Sequence, residues 1–235
     1  MNWIEINGLS SQNVRGLMIN QLPSITKPAK RVNRLEIEGM DGDVIEDYGY
    51  ESYDKEFEVS MLPNGNINDI IAFFDAEGRI MFSNEQGKYY RFKVIDRIDF
   101  ERLIRFRRAT VVIHVQPFKY SDEIPQELNV TGKTSCEMFN DGNIASRPVI
   151  SIEGTGDIEL SLNGNLVFTI DMNNNSKITI DTEKCDAYDT TNPSVLLNRK
   201  VTGNYDKFRL HHGMNTVAWS GTITKITTER TSRWI

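Results

Sequence analysis

Tyr53-Asp54-Lys55-Glu56-Phe57-Glu58-Val59-Ser60-Met61 puts Tyr53, Phe57, Val59 and Met61 on one side of an extended chain and Asp54, Glu56, Glu58 and Ser60 on the other. A period of two with large apolar groups on one face and acids on the other belongs to a strand with one wet side, in an antiparallel sheet. Working outward, Val32 to Glu38 alternates similarly, Arg79 to Ser83 and Lys88 to Ile98 flank the turn Asn84-Glu85-Gln86-Gly87, and Arg107 to Val115 is a β-branched run. These segments predict strands. One helix interrupts them: Asn66 is a plausible N-cap, Asp69 an acid in the first turn, and Gly78 a left-handed closing residue. Between them Ile67, Ile70, Ile71 and Phe74 form a stripe at helical spacing that packs onto a sheet.

Near residue 120 the character changes. Pro117-Phe118-Lys119-Tyr120-Ser121-Asp122-Glu123-Ile124-Pro125 carries two prolines and three charges, which suits a linker between domains. Beyond it, turn-forming clusters recur at Asn140-Asp141-Gly142-Asn143, Gly154-Thr155-Gly156-Asp157, Asn163-Gly164, Asp171 to Asn175, Gly203-Asn204 and Gly213. Short strands punctuated in this way predict an antiparallel sandwich or barrel, with Asn163-Gly164 as the clearest hairpin turn. The fold expected is mainly β: an N-terminal β-sandwich or split barrel with one α-helix over residues 1–120, a linker at 121–125, and an antiparallel β-sandwich over 126–235.

Composition bounds the function. The 235 residues carry 27 Lys and Arg against 33 Asp and Glu, a net charge of −6, so the counterion-release argument for a nucleic-acid binder is missing. Two cysteines, Cys136 and Cys185, are too few for a disulfide scaffold and are expected as free thiols, buried as small hydrophobes. Met1 to Asn7 lacks a basic flank and has Glu5 where an apolar leader would run, which predicts no secretory signal. No apolar run approaches the roughly 20 residues of a membrane span. The chain is therefore expected to be soluble and made in the cytosol.

Charge is unevenly placed. Nine acids, among them Asp41, Asp43, Glu46 and Asp47, face one base between Glu36 and Glu56; eight bases, among them Arg105, Arg107 and Arg108, face three acids between Lys88 and Arg108. Two readings stand: solvated strand surfaces that neutralise each other within one subunit, or a charge-complementary contact between copies. The residues named are the candidates for that contact.

Catalytic constellations are not found. There is no Gly-x-Ser-x-Gly elbow and no phosphate-cradling loop ending in Gly-Lys-Ser or Gly-Lys-Thr. His114, His211 and His212 are divided between the two expected domains, too dispersed for zinc, and His114 reads as a sheet residue. Asp171 to Asn175 imitates the start of a calcium loop, but Ser176 stands at the sixth position and Thr182 at the twelfth, so a polar turn is expected. Asp41 with Asp43, or Asp186 with Asp189, could serve as acid and base on sugars, although Gly42 favours a turn for the first pair. Trp219 is either a buried sandwich residue or a sugar platform. No cofactor or metal is expected, and the chain is read as non-enzymatic.

Several short motifs, taken in order, resemble one family. Val14-Arg15-Gly16-Leu17, Leu22-Pro23, Lys30-Arg31, Ile37-Glu38-Gly39-Met40-Asp41-Gly42 with Tyr48 and Tyr50, the helix Ile67 to Glu77, and Gln116-Pro117-Phe118-Lys119-Tyr120 are similar to the N-terminal domain of the distal tail proteins of long, non-contractile-tailed phages of Gram-positive bacteria. Asn140-Asp141-Gly142-Asn143 with Ser146-Arg147-Pro148-Val149-Ile150, His212-Gly213-Met214-Asn215-Thr216-Val217 and Arg233-Trp234-Ile235 resemble the start and end of that family's galectin-like C-terminal domain. Met40 departs from the polar or Arg residue expected there.

The resemblance implies a virion part at the distal end of a phage tail. In it, N-terminal domains form a hexameric ring between the tail tube protein and the tail-associated lysin or baseplate hub, rings can stack in pairs, and DNA passes through without specific binding. The C-terminal domains project outward and in some relatives bind sugars, so the alternative expectation is a carbohydrate-binding adhesion module for a bacterial surface glycan.

Overall fold

The computed structural model describes residues 1–121, 125–174 and 176–235. The chain divides into two compact units, with bodies Met1–Tyr120 and Ser121–Trp234. The expected linker residues Asp122, Glu123 and Ile124 lie outside the described residues.

The first unit contains β1 (Ile4–Ile6), β2 (Leu9–Ser10), β3 (Leu17–Gln21), β4 (Lys30–Glu36), β5 (Asp43–Tyr50), β6 (Tyr53–Met61), α1 (Ile67–Phe74), β7 (Glu77–Phe82), β8 (Lys88–Lys93), α2 (Phe100–Phe106) and β9 (Arg108–Ser121). Seven of the strands form one sheet in the order β2-β1-β7-β8-β9-β6-β3. Its inner face carries the core, with Phe57 at the centre between Phe74 of α1 and Phe82 of β7, each ring centroid 6.1 Å away. The period of two in β6 is observed: Phe57, Val59 and Met61 are buried while Asp54, Glu56 and Glu58 are exposed.

Asn66 caps α1 as the sequence predicts, its side chain accepting from the Asn68 amide at 3.0 Å. The helix is shorter than expected and turned. It stops at Phe74 with Asp75 as C-cap, and it buries Ile70, Phe73 and Phe74 while Ile71 is exposed. Gly78 does not close it but lies inside β7.

A second helix, α2, corrects the expectation of one. Asp99 caps it by accepting from the Arg102 amide at 2.9 Å, Glu101 lies in its first turn and Arg105 in its last, and Arg107 ends it with a left-handed φ of 60°. Those cap and dipole signals were present in the sequence. They were masked because only Leu103 of this short helix is buried, leaving no periodic apolar stripe. Pro117 to Tyr120, expected to open the linker, instead continue β9.

The second unit contains β10 (Gln126–Leu128), β11 (Ser135–Asn140), β12 (Val149–Leu162), β13 (Asn165–Asp171), β14 (Lys177–Asp181), β15 (Asp186–Asp189), β16 (Val201–Gly203) and β17 (Gly213–Glu229). The long strands β12 and β17 pair along most of their length. One half of β12 also pairs with β14 and the other half with β13, while β10 and β11 occupy successive stretches of the far edge of β17. Register breaks at Glu153/Gly154 and Thr155/Glu159 bend the shared pair so that the two halves curl over a common core. The Gly154-Thr155-Gly156-Asp157 cluster, expected as a turn between strands, is this bend within β12. Gly221 lies opposite it, where a Cβ would stand 2.4 Å from the Asp157 carbonyl. Asn163-Gly164 forms the β12–β13 turn with φ of 49° and 81°, the doubly left-handed geometry of a tight hairpin.

Candidate assembly surface

β4 and β5 form a separate two-stranded sheet. Leu35 faces Val44, Arg34 faces Ile45 and Val32 faces Asp47, so both faces of the ribbon mix apolar and charged groups. Neither face is covered: every residue from Lys30 to Tyr48 is solvent-exposed, and Ile45 shows 57% of its surface. The sequence predicted a strand over Val32 to Glu38, and β4 forms there, but β5 was not foreseen, and the burial expected of one face of β4 is absent because nothing packs on it.

The acidic candidates all sit on this hairpin. Asp41 and Asp43 are at its turn, with the Asp43 carboxylate 3.9 Å from Arg34 Nε. Glu46 accepts from Tyr48 Oη at 2.7 Å and Asn33 Nδ2 at 3.2 Å, and those bonds hold its carboxyl below the ordinary range. Asp47 is held low by the Lys30 ammonium and by the Gly49 amide at 2.9 Å. Asp47 and Asp43 are therefore partly matched within the ribbon, by bases the charge count from Glu36 onward did not include.

The basic candidates lie at and after α2. Arg105 pairs with Glu101 one turn earlier at 2.5 Å. Arg107 is the left-handed cap, and its carbonyl accepts from the Met61 amide at 3.1 Å. Arg108 opens β9 opposite Ser60. Beside them, Phe106 is 72% exposed and Ile104 is exposed as well, an apolar component the sequence reading missed. The acidic ribbon and the basic helix are thus two chemically different surfaces of one unit, each combining charge with uncovered apolar groups.

The other candidates resolve into structure. Trp219 is only 7% exposed and packs in the second core opposite Leu160, so its ring offers no open face for a sugar. Asp189 caps a turn, accepting from the amides of Thr191 and Asn192, and Asp186 accepts from Asn198 Nδ2 at 3.0 Å. His114, on β9, contacts Asp54 at 2.7 Å. Asp171 accepts from the Asn173 amide as a polar turn; Asn175, the fifth residue of the calcium-like stretch, lies outside the described residues. No metal-ligating cluster occurs among the described residues. Both cysteines are free thiols, but neither is fully buried as expected: Cys136 is half-buried and Cys185 exposed. Among the described residues, no helix is long and apolar enough to cross a membrane.

The sequence reading also missed a buried charge cluster in the first unit. Lys55 falls on the inner face of β6 by the same period that buries Phe57, and it is 3% exposed. Its Nζ donates to the Ser24 carbonyl at 2.8 Å and lies 4.9 Å from the Tyr90 ring centroid and 5.4 Å from that of Tyr53. Glu85 accepts from Lys119 Nζ at 2.8 Å and from Tyr90 Oη at 2.6 Å. Burial pushes the Glu85 carboxyl up, but those donors outweigh it and hold the group ionised, whereas burial lowers Lys55.

No protein-family description matches the sequence, and no curated protein sequence is similar to it. Solved structures do match. The SPP1 Dit (gp 19.1) protein, described as a paradigm of the hub adsorption apparatus in Gram-positive infecting phages, superposes on 100% of this chain and 100% of its own, with a TM-score of 0.64 and 14% identity. The phage P2 baseplate in its activated conformation with Ca contains a chain similar at a TM-score of 0.49, with 12% identity over 98% of each chain. From end to end, this chain has the fold of SPP1 Dit.

Proposed function

We propose that this chain is a structural component of a phage tail tip or baseplate. In this reading, residues 1–120 form a hexameric ring that joins the tail tube protein to the tail-associated lysin or hub and lets DNA pass, and residues 126–235 are the outward galectin-like sandwich. The observation that carries it is the likeness to SPP1 Dit along the whole of both chains. The uncovered β4–β5 ribbon supports it, because an isolated two-stranded hairpin is marginal in water and gains its stability from packing. A closed ring requires two different surfaces on each copy. The ribbon with Asp41, Asp43, Glu46 and Asp47, and the helix end with Arg105, Arg107 and Arg108, supply a complementary pair. The alternative, adhesion to a surface glycan, draws no support from the buried Trp219.

Native mass measurement and light scattering on the full chain over rising concentration test the proposal. The expected outcome is a hexamer that Arg105→Glu with Arg107→Glu weakens while the thermal melt stays in place. A chain that remains monomeric both alone and with its tail tube protein would overturn the ring reading.

A further inference from the structure

The buried Lys55 cluster has an unusual charge balance: it holds the two ammonium groups of Lys55 and Lys119 around the single carboxylate of Glu85. Lys119, at 6% exposure, is matched by that carboxylate. Lys55 instead donates its hydrogen bond to the Ser24 carbonyl, and its ammonium lies over the faces of Tyr53 and Tyr90. A methionine or leucine would fill this inward position of β6 without desolvating a charge, so stability alone does not account for a lysine. What the lysine adds is reach: it ties the sheet to the segment between β3 and β4.

That segment leads directly into the uncovered ribbon. It is held at more than one point, because Asn84 Nδ2 in the β7–β8 turn also donates to it, at the Pro23 carbonyl 3.2 Å away. On the return side of the ribbon, the Glu51 amide donates to the Ala29 carbonyl at 2.8 Å, and the Tyr50 ring meets Phe118 edge-on at 5.5 Å. The ribbon's residues from Lys30 to Tyr48 are all exposed, so its direction is set mainly at its root. We propose that Lys55, with Asn84, clamps the root of the β4–β5 ribbon to the sheet, so that the arm is pre-set in direction before any partner docks on it. Lys55 is a positioning residue in this scheme, touching no partner itself. Only the assembly consequence rests on the ring reading.

The test uses the full chain in a Cys136→Ser, Cys185→Ser background, with nitroxide labels at Ile45→Cys on the ribbon and Thr110→Cys on β9, and reads the distribution of distances between them. Lys55→Met, which keeps the length of the stem and removes its charge and donors, is expected to broaden that distribution about twofold with a cooperative melt retained. Lys93→Met, which removes an exposed pair with Glu77, is the control and should leave the width unchanged. Asn84 is exposed, so Asn84→Ala keeps the fold and decides the matter if Lys55→Met does not fold. Broadening in either variant supports the clamp. Wild-type width in the variants that fold overturns it. In a hexamer-forming chain, Lys55→Met should also raise the concentration needed for assembly, since an unset arm must be ordered on docking. A wild-type chain that never assembles defeats the ring reading and leaves the label distances to judge the clamp.

Discussion

The molecule contains two hairpins that look alike as sequence and differ in everything that holds them. β12–β13 turns at Asn163-Gly164 and buries Leu160, Leu162, Val167, Phe168 and Ile170 in the second core. β4–β5 turns around Gly39 and Gly42 and leaves Val32, Leu35, Val44 and Ile45 in solvent. Both are antiparallel ladders interrupted by one register shift, at Leu160/Ser161 in the first and Lys30/Val32 in the second, so hydrogen bonding does not separate them. The difference is the presence of a layer to pack on, and it divides residues that fold the protein from residues free to serve an interface.

The largest expected contrast is between Phe168 and Ile45. Phe168 is fully buried, stacked on Phe208 at 5.7 Å and edge-on to Tyr205 at 5.0 Å. Phe168→Ala should cost about 3–5 kcal/mol in denaturant unfolding. Ile45→Ala should stay within about 0.5 kcal/mol, because no cavity is created. An equal loss in both would mean that the ribbon is part of the folding unit after all.

Carboxylates sharpen the contrast at the next scale. Asp181 is buried; burial alone would raise it, but Arg230 Nη2 at 2.8 Å and the Glu183 and Lys184 amides at 3.1 Å hold it below the ordinary range. A depressed folded-state value means that this stabilisation is present above the unfolded value near 4 and is lost as pH falls through the lower folded value. Asp181→Asn should cost roughly 1.5–3 kcal/mol at neutral pH and flatten the melt's acid dependence below about pH 4. Asp47 on the exposed ribbon is also held low, yet Asp47→Asn should leave the acid dependence of the melt unchanged.

The turns give the smallest and cleanest comparison. A Cβ on Gly164, φ 81°, or on Gly42, φ 85°, meets nothing within 4 Å, so alanine at either position brings only left-handed backbone strain. Gly164→Ala should lower the stability of the second unit by about 1–2 kcal/mol. Gly42→Ala should strain its own turn and leave the global transition where it was.

Legibility in the sequence follows the same division. β6, the α1 cap and the Asn163-Gly164 turn were readable because local pattern and tertiary burial agree there. Of the ribbon's strands β4 was readable and β5 was not, because the adjacent Val44 and Ile45 break the alternation; the exposure of β4 was not readable either, since alternation reports a period and cannot say whether a layer covers it. α2 escaped because one buried leucine leaves no stripe. Lys55 escaped for the opposite reason: it occupies an apolar position in a clear pattern, and only the carbonyl of Ser24 and the rings around it explain why a lysine is there. Among the proposed contact residues, the charges were visible from composition, while Ile104 and Phe106 beside them needed the helix to be seen first.

The uncovered ribbon also affects how the protein survives between synthesis and use. An extended pair of strands with free edges and apolar side chains on both faces is a template for unintended pairing with other copies. Asp41, Asp43, Glu46 and Asp47 crowd one strand and the turn of that ribbon, and carboxylates so placed act as gatekeepers that keep such edges dispersed. The acids on the arm thus have a second use besides any partner they meet: like charges on separate copies repel one another, so a sticky element can stay uncovered without gluing copies together.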